Sequence, residues 1–230
     1  MLERVQKLIS NYGYCSRRKA EELIKNGKVK VNDKVISIGD KASEKDQIKI
    51  DDKLIDKEKR IYLIFNKPLD CVTAVRDKKY KTVLDHISIS ERIFPVGRLD
   101  ANTTGLLILT NDGDFANKVM HPRYNVTKTY YVKLKDPITK KQIINLEKGV
   151  FLKDGKTSPA KVKRLNSKEI EITIHEGRKH IVRRMIKKVG LELLKLKRTR
   201  IGKLELGNLK EGKYKELKNK DLKLIFENGM

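Results

Sequence analysis

The chain has 230 residues, 38% of them hydrophobic, with 54 Lys and Arg against 30 Asp and Glu, a formal charge of +24. That length and apolar content support one large folded domain or two unequal ones, and the charge makes a nucleic acid the first partner to consider, because it attracts polyanions at long range. No apolar run approaches the ~20 residues of a membrane span, no apolar block of signal type opens the chain, and Cys15 and Cys71 lie far apart without a CxxC, which excludes a membrane protein, a disulfide framework and a cysteine zinc site and leaves a cytoplasmic protein.

The first predicted module spans residues 1–58. Val5, Leu8 and Ile9 keep helical spacing until Gly13 interrupts, and Ser16 is placed to cap a second helix whose inward face is Ala20, Leu23 and Ile24. Gly27 ends that helix. Val29 and Val31 then alternate with Lys28 and Lys30, the chain turns at Asn32 and Asp33, and a strand resumes at Val35, a hairpin pattern. Arg18 and Lys25, seven residues apart, share a face of the second helix, with Arg17 and Lys19 at its start. That face and the unpaired N–H groups of a helix start suit a phosphate backbone, whereas a lone basic helix is more often simply solvated.

Residues 53–60 are charged and apolar-poor and read as a linker, so a second domain is expected over 59–230. Its first strand, IYLIFNKP, ends at Pro68, and strand patterns recur in YYVKLK, AKVKRL and EIEITIHEG. Helical patterns are fewer, near 114–120, 139–149 and 179–190. The fold class is therefore α+β, with a mostly antiparallel sheet. Charge is uneven as well: residues 178–203 hold 11 Lys or Arg and only Glu192 as an acid.

The stretch FPVGRLDANTTGLLILTNDG, residues 94–113, sets Asp100 beside Arg98 in a polar turn directly before the apolar run Leu106, Leu107, Ile108 and Leu109. A carboxylate at the mouth of a buried strand is both fixed and reachable, which suits a reacting group. Its opening matches a calcium loop, but the twelfth position is Asn111 where a bidentate Glu is required. Taken alone, the segment is equally well a structural turn in which Asp100 bonds nearby backbone. The four histidines, His86, His121, His175 and His180, show no metal-ligand spacing, and only His180 sits in a basic cluster.

Four separated blocks, NKP at 66–68, PVGRLDANTTGLLILTNDG, HPRYNVTKTYYVKL and HEGRKHIVRRM, resemble in order the motifs of the RsuA/RluB-type ribosomal RNA pseudouridine synthases. The segment YCSRRKAEELIKNGKVKVN resembles the alpha-L RNA-binding module, so the resemblance covers nearly the whole chain. It implies isomerisation of uridine in ribosomal RNA without cofactor or metal, by a cytoplasmic monomer. The essential catalytic residue maps to Asp100, the tyrosine of the Lys-x-Tyr motif to Tyr130, and the basic partner of the aspartate to Arg183. RNA contacts are implied for Arg17, Arg18, Lys19, Lys25, Lys67, Arg98, Lys128, Arg178, His180 and Arg184. The third motif departs from many relatives at Lys179, His180 and Ile181.

The chemistry suits these residue types. Uracil is detached from ribose, turned and rejoined through carbon, with no net hydrolysis or redox change. An ionised Asp100 can attack the anomeric carbon or take a proton from the neighbouring ribose carbon. Tyr130 can stack on the detached base and Arg98 fill the space that a flipped nucleotide leaves. Large-subunit rRNA is favoured over small-subunit rRNA by the N-terminal helix and the FANKVMHP segment, although the short length and lack of a tail resemble small-subunit enzymes. A non-catalytic ribosome-assembly protein of the same fold is the alternative from another class. A methyltransferase is disfavoured by the lack of a Gly-rich loop after a strand.

Overall fold

A computed structural model describes residues 1–227 as two compact units. One holds residues 1–61 together with 89–94 and 110–113; the other holds 62–88, 95–109 and the chain from 114 onward.

In the first unit, helices α1 (Val5–Asn11) and α2 (Arg17–Lys25) precede a four-stranded sheet. The cap is where the sequence places it, with Ser16 Oγ accepting from the Lys19 N–H at 3.2 Å. Helix α2 ends in paired closing bonds, Lys28 N–H to Leu23 O and Gly27 N–H to Ile24 O, with Gly27 at φ +67°, a conformation that a side chain resists. Strands β1 (Val29–Val31) and β2 (Lys34–Val35) then form the expected hairpin. Asn32 and Asp33 both take left-handed backbone, the two-residue turn whose twist suits a hairpin. Strand β3 (Ile48–Ile50) pairs with β1, and β4 (Lys53–Leu54) with β3 across a second such turn at Asp51 and Asp52. The start of the expected linker is therefore a strand. Two residues were too few to show an apolar alternation. The core of this unit joins Val5, Leu8, Ile9 and Tyr12 of the first helical segment to Ala20, Ile24, Val29, Ile48 and Ile50.

The second unit is built on a nine-stranded mixed sheet. In chain order its strands are β5 (Tyr62–Lys67), β6 (Phe94–Val96), β7 (Thr104–Thr110), β8 (Lys128–Leu134), β9 (Lys161–Arg164), β10 (Glu169–Ile174), β11 (Leu193–Ile201), β12 (Leu204–Glu205) and β13 (Tyr214–Glu216). The path runs β9-β10-β8-β11-β7-β5-β13, with β12 paired to β11 and β6 to β7. The β11–β7 pairing is parallel, whereas β10–β8, β8–β11 and β13–β5 are antiparallel. All seven residues of β7 are buried, as the run of four aliphatics requires.

Helices α3 (Gly113–Met120), α4 (Lys140–Glu147) and α5 (Ile181–Lys188) stand where periodicity places them. Thr139 and Gln142 close a reciprocal capping box on α4. Helix α5 turns Ile181, Val182, Met185 and Ile186 into a core shared with Val132, Leu134, Ile170, Ile172 and Leu196. Strands β12 and β13 and the helix α6 (Asn219–Phe226) follow from a lysine-rich stretch in which the sequence pattern predicts no elements.

Candidate active site

Asp100 lies in the loop between β6 and β7. Its carbonyl accepts from Thr103 N–H at 3.0 Å, closing a turn through the exposed residues Ala101 and Asn102 just before the buried strand. Three groups of the second unit fix this turn. Thr73 Oγ1 donates to Leu99 O at 2.7 Å and accepts from Leu99 N–H at 3.2 Å. Lys67 Nζ donates to Pro68 O, Ala101 O and Thr103 O at 2.9, 3.1 and 3.1 Å. Arg183 Nη2 donates to Asn102 O at 2.7 Å and lies 3.4 Å from Thr103 Oγ1.

Lys67 corrects an expectation. It is 0% exposed at the end of β5, and its three ammonium donors are all spent on carbonyls, so it holds the Asp100 loop and does not touch RNA. Burial lowers its pKa, opposed by Cys71, Asp100 and Asp70. This is the physical use of the NKP block. The strand carries Lys67 inward to the loop.

The basic partner of the aspartate also differs from expectation. Among the described residues, the side chain at ion-pair distance from the Asp100 carboxylate is His180, with Nε2 3.2 Å from Oδ1. Arg183 grips the loop backbone instead and reaches Asp100 only through its field: burial disfavours its charge, and Asp100 favours it. Its Nε is buried without a hydrogen-bond partner among the described residues. His180 is the N-cap of α5, in left-handed conformation (φ 54°, ψ 29°), and its side chain makes no cap bond.

Tyr130 is half-buried on β8, packed against the core of α5, and directly opposite Arg198 of β11. Lys128, two residues earlier, shares its face and donates to Val126 O at 2.7 Å. Burial, with Arg198 adding, pushes the Lys128 ammonium down to about 8. Tyr131 points to the other face, where burial and Glu169 push its phenol up to about 12. Arg198 was not anticipated. Only 4% exposed, it donates from Nε to Leu106 O at 2.7 Å and so ties β11 to the strand that follows Asp100. Its backbone runs so close to Gly105, at φ +105°, that any side chain there would collide.

Two further residues expected to contact RNA are engaged within the fold. Arg178 spends its guanidinium on Glu176 (2.7 Å), Asp154 (3.2 Å) and the carbonyls of Gly155 and Lys156, while Arg184 is paired with Asp154. Their charge is neutralised within the fold, and they clamp the hairpin of Phe151–Leu152 and Gly155–Lys156 to the third motif. Arg98 is exposed and makes no hydrogen bond or ion pair among the described residues. In the first unit Arg17, Arg18 and Lys25 are exposed on α2, and Lys19 is paired with Glu22 at 2.8 Å.

The Asp100 carboxylate, one-third exposed, thus stands on a turn held by the buried Lys67 and next to the N-cap of the basic helix α5. Residues 61–188 match the family model described as RNA pseudouridylate synthase, and residues 3–48 match the S4 domain model. The chain belongs to the RNA pseudouridine synthase family, isomerases that convert uridine to pseudouridine. It is 47% identical over 206 residues to the ribosomal large subunit pseudouridine synthase B of Bacillus subtilis, an alignment covering 86% of this chain and 84% of that one. It is 36% identical to the dual-specificity RNA pseudouridine synthase RluF of Escherichia coli, over 86% of this chain and 69% of the other. A crystal structure of a pseudouridylate synthase superposes with a TM-score of 0.73 at 31% identity, over 96% of this chain and 99% of that one.

Proposed function

We propose that this chain isomerises a uridine of large-subunit ribosomal RNA, working as a cytoplasmic monomer with Asp100 as its catalytic carboxylate. The observation that carries the site is the turn itself, in which Lys67, Thr73 and Arg183 fix the backbone on both sides of a carboxylate that stays reachable. The large-subunit substrate rests on likeness to the Bacillus subtilis enzyme of that name. Among the described residues no helix is long and apolar enough to cross a membrane.

In this reading Asp100 acts ionised on the ribose, and Tyr130 stacks on the flipped uracil. Arg183 holds the loop carbonyl of Asn102 and sets its positive charge near the Asp100 carboxylate. The glycosidic C–N bond breaks, a C–C bond forms to the same ribose carbon, and the ring proton passes from carbon to nitrogen, so the product is an isomer and no co-reactant is consumed. Residues 1–58 form the RNA-binding domain and 59–230 the catalytic domain; Arg17, Arg18 and Lys25 meet phosphates, and Arg98 and Lys128 line the approach to the base. The test is to incubate the protein with unmodified large- and small-subunit rRNA and map carbodiimide-resistant uridines. One modified site in large-subunit rRNA is expected. Modification confined to small-subunit rRNA would overturn the substrate assignment, and none in either would overturn the activity.

A further inference from the structure

We infer that His180 is a positioning residue for the catalytic carboxylate, standing against Asp100 with Nε2 3.2 Å from Oδ1, and is not a reader of RNA. The inference rests on Asp100 being the catalytic group. Three observations carry it. The imidazole nitrogen lies 3.2 Å from the carboxylate, closer than any other cationic side chain among the described residues. The residue occupies left-handed backbone, φ 54°, which strains any residue with a β-carbon and suits glycine. And it stands at a helix N-cap, where Ser, Asp or Asn would satisfy the exposed N–H groups, yet its side chain leaves them unserved and turns to Asp100. Backbone strain and an uncapped helix start both oppose histidine here. The contact with Asp100 is the compensation that the structure shows.

The geometry gives that contact a task. Lys67, Thr73 and Arg183 fix the backbone of the turn, but none of them bonds the Asp100 carboxylate, which on its own would sample several rotamers. His180 selects one. Its ring is 46% exposed and its other nitrogen is unengaged among the described residues, so the clamp can give way as the ribose arrives.

The decisive variant is His180→Gly. Glycine relieves the left-handed backbone, so the melting temperature should hold or rise, while kcat on an RNA fragment falls about ten- to a hundredfold with KM nearly unchanged, because the carboxylate loses the contact that selects its rotamer. His180→Gln, whose amide N–H reaches about as far, should recover most of the rate. A spectroscopic readout needs no turnover: Asp100→Ala should shift the His180 imidazole 15N resonances, because the ring loses the carboxylate 3.2 Å from its Nε2. A rise in KM at constant kcat would make His180 an RNA contact, and unchanged kinetics in His180→Gly would remove it from the site; either overturns the inference. The underlying reading fails separately, if Asp100→Asn retains turnover.

Discussion

At the scale of single residues, the candidate site is one reachable carboxylate on a turn whose backbone is held by Lys67, Thr73 and Arg183. Lys67 makes this testable. Lys67→Met keeps most of the buried volume and removes three donors, leaving the carbonyls of Pro68, Ala101 and Thr103 unserved. Stability should fall by about 1–3 kcal/mol, and kcat should fall more than KM rises, because the turn loosens while the RNA surface is intact. A KM effect alone would return Lys67 to the RNA-binding set. Lys128 offers a pH test. Its folded pKa is pushed down to about 8 by burial, while the unfolded chain titrates near 10.4, so between those values the unfolded state holds more protons. Stability contributed by this residue therefore rises with pH across that window and is a constant cost below it. The difference in urea stability between wild type and Lys128→Met should climb in favour of wild type from pH 8 to 10, and a flat difference would contradict the burial of the charge. Asp100, Tyr130 and Arg183 could be marked from motif order alone. The roles of Lys67, Arg178 and Arg184 could not, since nothing local shows that a lysine at a strand end will meet three carbonyls, or that Asp154 stands opposite two arginines.

At the scale of elements, local chemistry was readable wherever it closed on itself. Ser16, Gly27 and the Asn32–Asp33 turn announce their roles because each satisfies backbone groups within five residues of itself. Strands β12 and β13 leave no local pattern because they are two and three residues long and owe their existence to β11 and β5, the second of them distant in sequence from its partner. Register of that kind also explains Gly105. It faces Arg198 across the parallel pair, with the arginine backbone where a β-carbon would be. Gly105→Ala should cost more than about 3 kcal/mol, read by chemical denaturation, because neither strand can withdraw without breaking the sheet; a loss below about 1 kcal/mol would show that the strands are not so closely apposed. On α2, replacing Arg17, Arg18 and Lys25 with Ala should weaken RNA binding and lower the slope of log affinity against log salt by about 0.7 to 0.9 for each phosphate no longer neutralised, while the rate at saturating RNA holds. An unchanged slope would mean that this face is merely solvated.

At the scale of the whole molecule, the proposed function divides labour between an N-terminal module that supplies affinity and a catalytic unit that supplies chemistry. The strands of the nine-stranded sheet all begin after Ile61, so residues 59–230 alone should fold and modify a short RNA fragment at high concentration while losing efficiency on long rRNA. Replacement of Asp100 by asparagine tests most directly that this carboxylate carries out the isomerisation of uridine. Asp100→Asn keeps the size and hydrogen bonding of the side chain and removes both nucleophilicity and basicity. Pseudouridine formation in unmodified rRNA, scored as carbodiimide-resistant uridine, should fall by several orders of magnitude while RNA affinity stays within about twofold of wild type. Turnover within about tenfold of wild type in that variant would contradict a catalytic role for Asp100.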